Sequence, residues 1–120
     1  MKVFRGVTYD FLYNHKDTAG VAQTLVGHTV YFTVKDVEFD SDLTDASAKI
    51  KKTVTTHLDL LGVPSAAAGI TSFTLSDADT QIEPGDYYFD VVVADSAGKS
   101  LPPSLIGTFT VIPKPTNRSV

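Results

Sequence analysis

The sequence predicts an all-β fold: one immunoglobulin-like β-sandwich of about seven strands, with no disulfide. Three observations lead there. Apolar and polar residues alternate with a period of two in segment after segment. Turn-forming Gly, Pro and Asp clusters separate those segments at short intervals, as a two-sheet sandwich requires. The chain has 120 residues, 42% of them hydrophobic, and no cysteine, so one packed core must hold it together.

The elements follow in chain order. From Val7 to Tyr13, the residues Val7, Tyr9, Phe11 and Tyr13 share one face. The turn Asp17-Thr18-Ala19-Gly20 ends that strand. From Thr29 to Lys35, Val30, Phe32 and Val34 face the core, and Tyr31, Thr33 and Lys35 face away. The acidic stretch Asp36 to Asp45 carries an alternating Val37 and Phe39 and reads as a wet loop or edge strand.

Ala46 to Leu61 carries two patterns. Ala46, Ile50, Val54, Leu58 and Leu61 fit a helix, with Gly62 as its cap. The β-branched run Thr53-Val54-Thr55-Thr56 favours a strand, with a short helical turn near Leu58 to Leu61 left open. Beyond it, Phe73 and Leu75 point inward from Thr71 to Ser76. Pro84-Gly85 suits a type II turn. Tyr87, Phe89, Val91 and Val93 then alternate on a central strand that is apolar on both faces. Tyr87 stands where a tyrosine corner would be, its hydroxyl bonding backbone near Asp79 to Gln81. After the turn at Asp95 to Gly98, Leu101 to Leu105 contains Pro102-Pro103, which blocks strand pairing. Phe109 and Val111 point inward from a last strand that stops near Ile112. The sandwich is expected over residues 1–112, with an extended proline-containing tail over 113–120.

Composition excludes several functions. The net charge of −4 and the lack of a basic block argue against nucleic acid. No run approaches the ~20 apolar residues of a membrane helix, so no membrane partner is expected. The start, MKVFRGVTYDF, has no secretory signal pattern; synthesis in a host cytoplasm is the expectation, and the sequon Asn117-Arg118-Ser119 is read as chance. His15, His28 and His57 show no metal-ligand spacing and read as surface or half-buried groups. The Asp36–Asp45 cluster lacks the glycine and terminal glutamate of a calcium loop. There is no phosphate loop, dinucleotide fingerprint or nucleophile elbow. Neither a cofactor nor an enzymatic activity is expected.

Three blocks carry a family resemblance. Leu25 to Lys35 reads L-x-G-x-x-V-x-F-x-x-K. Phe73 to Thr80 reads F-x-L-x-x-x-D-T and continues into Pro84-Gly85-Asp86-Tyr87-Tyr88-Phe89-Asp90-Val91. Gly107 to Val111 reads G-x-F-x-V. In this order and spacing, from about Arg5 to Pro113, they resemble the small immunoglobulin-like domains of phage virion proteins, including the N-terminal domain of tailed-phage baseplate upper proteins. A baseplate upper protein continues into a receptor-binding or trimerising region, whereas this sequence stops at Val120. The resemblance implies a structural part of a virion (tail, baseplate or capsid surface) that contacts other virion proteins in symmetric multiple copies. The alternative is a carbohydrate- or cell-surface-binding module, with Tyr9, Tyr13, Tyr31 and Tyr88 as stacking candidates.

Two segments are expected to carry partner contacts. Leu60 to Ile70 lies between strands yet has almost no polar side chains; Leu61, Val63, Pro64, Ala66 and Ala67 are its candidates. It has a second reading as a lid folded over the open end of the sandwich. The tail supplies Pro113, Pro115 and Arg118.

Overall fold

A computed structural model describes residues 1–36 and 48–113, with the backbone alone at 102–104. It contains seven strands: β1 (Lys2–Phe4), β2 (Tyr9–Asn14), β3 (Thr29–Lys35), β4 (Ile50–Val54), β5 (Ile70–Leu75), β6 (Gly85–Ala94) and β7 (Ser100–Ile112). Five form one sheet in the order β1-β7-β6-β3-β4, and β2 pairs with β5 in a second. All strand pairs are antiparallel except β1, which runs parallel to β7. The fold is an all-β sandwich.

The core lies between the sheets, and the alternation of β3, β5 and β6 builds it. Val30, Phe32 and Val34 from β3, Phe73 and Leu75 from β5, Val91 and Val93 from β6, and Phe109 and Val111 from β7 are buried. Phe32 is their hub. Its ring centroid lies 4.8 Å from that of Phe73 across the sandwich, 5.9 Å from Phe89 and 6.3 Å from Phe109. Tilted and edge-on arrangements of this kind are favourable beyond the area they bury. Phe89, expected inside, is half-buried. Its ring lies over Gly107, where a Cβ would come within 2.8 Å of it.

Register is pinned by three Thr–Asp pairs. Asp10 faces Thr74 across β2–β5, Thr33 faces Asp90 across β3–β6, and Asp86 faces Thr110 across β6–β7. In each, the hydroxyl donates to the carboxylate, at 2.6 Å for Thr74–Asp10 and 2.8 Å for Thr110–Asp86. Aspartate is a poor strand former. Here each one gains a partner that a one-residue slip would remove, so the pairs favour a single register.

The strand favoured after Asp45 is present at Ile50–Val54, whereas the one helix among the described residues is a single 3-10 turn at Ala66–Ala68, not near Leu58 to Leu61. Other expectations change. β1 is an addition to the expected strands; it is too short for alternation to show. The strand suggested around Val37 and Phe39, the acidic cluster beyond Asp36, and the tail beyond Pro113 lie outside the described residues.

β7 begins at Ser100 rather than near Gly107. It passes Pro102-Pro103 through an irregularity: Leu101 pairs with Val93 and Leu105 with Val91, so three residues of β7 stand opposite Val92 alone. β1 pairs only with Thr110 to Ile112, so the prolines sit on an open edge where a missing donor is tolerated. Pro84 lies at a bend, and Gly85 already belongs to β6. The Tyr87 hydroxyl donates to the Glu83 carbonyl at 2.6 Å, four residues upstream, not to Asp79–Gln81.

The hub position of Phe32 has a measurable consequence. Phe32→Ala should cost about 3–5 kcal/mol through lost burial and the cavity left between the sheets. Chemical denaturation checks this; an unchanged midpoint would show that Phe32 does not join the sheets.

Candidate functional site

Three turns share one construction. In Asp17 to Val21, Asp59 to Val63 and Asp95 to Lys99, the aspartate N–H donates to the carbonyl four residues on. The glycine N–H, three residues on, donates back to the aspartate carbonyl. The aspartate side chain accepts two further backbone N–H groups, from Ala19 and Val21, Leu61 and Val63, and Ala97 and Lys99, at 2.8–3.0 Å. Each glycine has positive φ, 82°, 80° and 84° respectively, which glycine adopts without Cβ strain. These are hairpin turns locked by charge-assisted hydrogen bonds.

The tips differ. Two carry small or polar residues, Thr18-Ala19 and Ser96-Ala97. The middle one carries Leu60-Leu61. Leu61 is 89% exposed, Leu60 56% and Val63 53%. Leu58 bridges Pro64 to close the hairpin. Two adjacent leucines are thus presented to solvent on a stiff support.

The apolar loop therefore divides. Its first half, Leu60 to Pro64, protrudes, which removes the lid reading there. Its second half closes the end of the sandwich. Ala66 packs on the core, its carbonyl accepts the Leu25 N–H at 2.8 Å, and the Ser65 hydroxyl donates to the Ile70 carbonyl at 2.7 Å. Gly69 (φ 74°) finishes this half where a side chain has no room: a Cβ would run into the carbonyl oxygens of Gln23 and His15. Ala67 remains exposed. Val26, 60% exposed, lies beside Leu25 on the same end.

The structure brings together Leu61, Val63, Pro64, Ala66 and Ala67, but not Pro113. The hairpin follows Val54, which pairs with Val30 at the start of β3; Pro113 follows Ile112 at the far end of β7. The length of β6 separates the two ends by roughly 30 Å at ~3.3 Å per residue. Pro115 and Arg118 lie outside the described residues. The signal that locates the hairpin is in the sequence: Asp59-Leu60-Leu61-Gly62 repeats the Asp-x-x-Gly spacing of the two other turns.

Histidines root this end. His15 and His57 are buried, and only His28 is half-buried as expected. His57 Nε2–H donates to the His28 carbonyl at 2.7 Å, and Nδ1 lies 3.0 Å from the Thr71 hydroxyl. His57 thereby ties the base of the hairpin to β3 and β5. His28 Nδ1–H donates to the Thr24 carbonyl at 3.0 Å. His15 Nδ1 lies 3.3 Å from the Tyr13 hydroxyl. Burial lowers the pKa of His15, and the neighbouring His28 lowers it further.

The described carboxylates serve structure. Besides the turn and cross-strand aspartates, Asp79 pairs with Lys52 at 2.6 Å and accepts the Ser76 N–H at 2.8 Å. Burial alone would raise its pKa, but these partners outweigh it and the net shift is downward. Asp36 lies 3.9 Å from Lys49. Among the described residues, no three His, Asp or Glu side chains converge as a metal site. No helix among them is long and apolar enough to cross a membrane.

Of the four candidate stacking tyrosines, Tyr9 and Tyr13 are half-buried against the core, and the Tyr9 hydroxyl accepts the Phe4 N–H at 2.8 Å. Tyr31 and Tyr88 do stand exposed on the outer face of the larger sheet. No protein-family profile, curated protein or solved structure matches this chain.

The His15 environment fixes a pH dependence. Its folded pKa lies below the ordinary histidine value of about 6.5, so the unfolded chain binds the proton more readily. The stabilisation is complete above about pH 6.5 and is lost as the pH falls from there through the folded pKa. Denaturant midpoints should drop on acidification, and His15→Gln should flatten the profile in that window; an identical slope in the variant would assign the dependence elsewhere.

Proposed function

We propose that this chain is a non-enzymatic immunoglobulin-like module that builds into a larger assembly by protein–protein contact, with the Leu58–Pro64 hairpin seated in an apolar socket of its partner. The observation that carries this is the Leu60-Leu61 tip. Leu61, 89% exposed, adds little to the fold, yet the Asp59 carboxylate accepts its backbone N–H and that of Val63 and so orders the turn. A pre-ordered knob loses little entropy on docking. The chain is acidic overall and the turn is built on an aspartate, which disfavours anionic lipid and favours a protein socket.

The resemblance carried by Leu25–Lys35, Phe73–Val91 and Gly107–Val111 supplies the kind of assembly: the tail, baseplate or capsid surface of a phage virion, where symmetry would repeat the contact. The structural use of the described carboxylates supports a role without catalysis. A second reading, a glycan-binding module, rests on the exposed Tyr31 and Tyr88; glycan-array binding lost in Tyr31→Ala and Tyr88→Ala would favour it.

The test is Leu61→Asp, introduced in the phage and checked for an unchanged denaturant midpoint. Occupancy in purified particles should fall several-fold. Wild-type occupancy of the folded variant would overturn the hairpin contact.

A further inference from the structure

We infer that the free edge of β2 is a dimerisation edge, and that its occupant is β2 of a second copy of this chain, antiparallel about a two-fold axis at Leu12. The inference uses a different surface from the hairpin and does not rest on the virion reading.

The open edge follows from the β2–β5 register. His15 N–H donates to the Gly69 carbonyl at 2.7 Å, continuing the pairing of Asn14 with Ile70. Odd-numbered residues of β2 therefore direct their backbone groups toward β5. Asp10, Leu12 and Asn14 direct theirs away, where they meet no strand among the described residues.

The other strand edges are short, charged, covered or, along the open stretch of β7, interrupted by Pro102-Pro103. β1 has three residues. β4 carries Lys51 and Lys52. The outer side of β5 is met by Ser65, whose carbonyl accepts the Ile70 N–H, by His57 at Thr71 and by the Asp59 carbonyl at Ser72. β2 is six residues long, Tyr-Asp-Phe-Leu-Tyr-Asn, with one charge, no proline and no bulge. An edge of this kind invites another strand.

Two features fit a further strand beside it. Leu12 is 45% exposed on the outer face. On the inner face, Tyr9, Phe11 and Tyr13 are all only half-buried, whereas their β5 counterparts Thr71, Phe73 and Leu75 are buried. A neighbouring strand would cover that flank.

The occupant follows from self-complementarity. With Leu12 opposite its own copy, Asp10 faces Asn14 of the other copy on both sides of the axis, and Phe11 faces Tyr13 on the inner face. The three residues with outward backbone groups all align, so each makes a hydrogen-bonded pair. Every Asp10 then meets an amide donor instead of a second carboxylate, and its Oδ1 stays with Thr74. Shifting the axis by one residue loses one of the three aligned pairs.

The test exploits the cysteine-free sequence. Hydrogen-bonded antiparallel partners sit about 5.5 Å apart at Cα, within disulfide reach. Under mild oxidation Leu12→Cys should form a covalent dimer in high yield, and Val21→Cys, at least as exposed, should not. Sedimentation should show a reversible wild-type dimer, weakened by Asn14→Asp and tightened by Asn14→Lys. Equal cross-linking of the two cysteine variants, or shifts of the same sign in the two Asn14 variants, would overturn the register. A wild-type chain monomeric at high concentration would overturn the dimer, and binding of a foreign extended peptide to this edge would assign it to another protein's strand.

Discussion

Phe32 is the constraint on which the rest depends. The chain has no disulfide, and β2 and β5 share no backbone pairing with the five-stranded sheet. What joins the sheets is side-chain packing, and Phe32 is the ring that touches Phe73 on one side and Phe89 and Phe109 on the other. The packing geometry explains the glycine at position 107, which makes room for Phe89. It also requires register, because a slip of one residue in β3 would turn Phe32 outward.

Aspartate supplies that register and the turns. The same residue type, placed opposite threonine in a strand, marks one pairing; placed three residues before glycine, it closes a hairpin. A carboxylate in either role accepts donors that would otherwise meet only water, each charge-assisted bond contributing about 1.5–3 kcal/mol at most. The acidity of the chain is in large part a structural property, and that economy leaves the apolar tip at Leu60-Leu61 conspicuous.

Much of this was legible in the sequence because the alternation of β3, β5 and β6 is strong and each points the same residues inward. The Asp-x-x-Gly spacing at Asp59 stands in the sequence too, although the apolar surroundings pointed to a docking loop or a lid and not to a hairpin turn. What was not legible depended on tertiary context. Lys2–Phe4 pairs parallel with β7, and three residues cannot show a period. Pro102-Pro103 sits within β7 because Val92 faces a bulge, a feature of the partner strand. The burial of His15 and His57 follows from segments far apart in sequence meeting at Gly69 and Thr71. Pro113 is remote from the hairpin because β7 runs antiparallel to β6 and ends beside Gly85, at the opposite end of the sandwich.

The central claim is that the Leu60-Leu61 tip is held ready for a partner by the Asp59 carboxylate. Amide hydrogen exchange at Leu61 and Val63 tests it most directly, since both N–H groups donate to Asp59 Oδ1. Both should exchange at least about tenfold more slowly than in Asp59→Ala, as expected for a bond to a charged acceptor. Exchange at the same rate in the two proteins would contradict a pre-ordered tip, and with it the reason for reading the hairpin as a docking element.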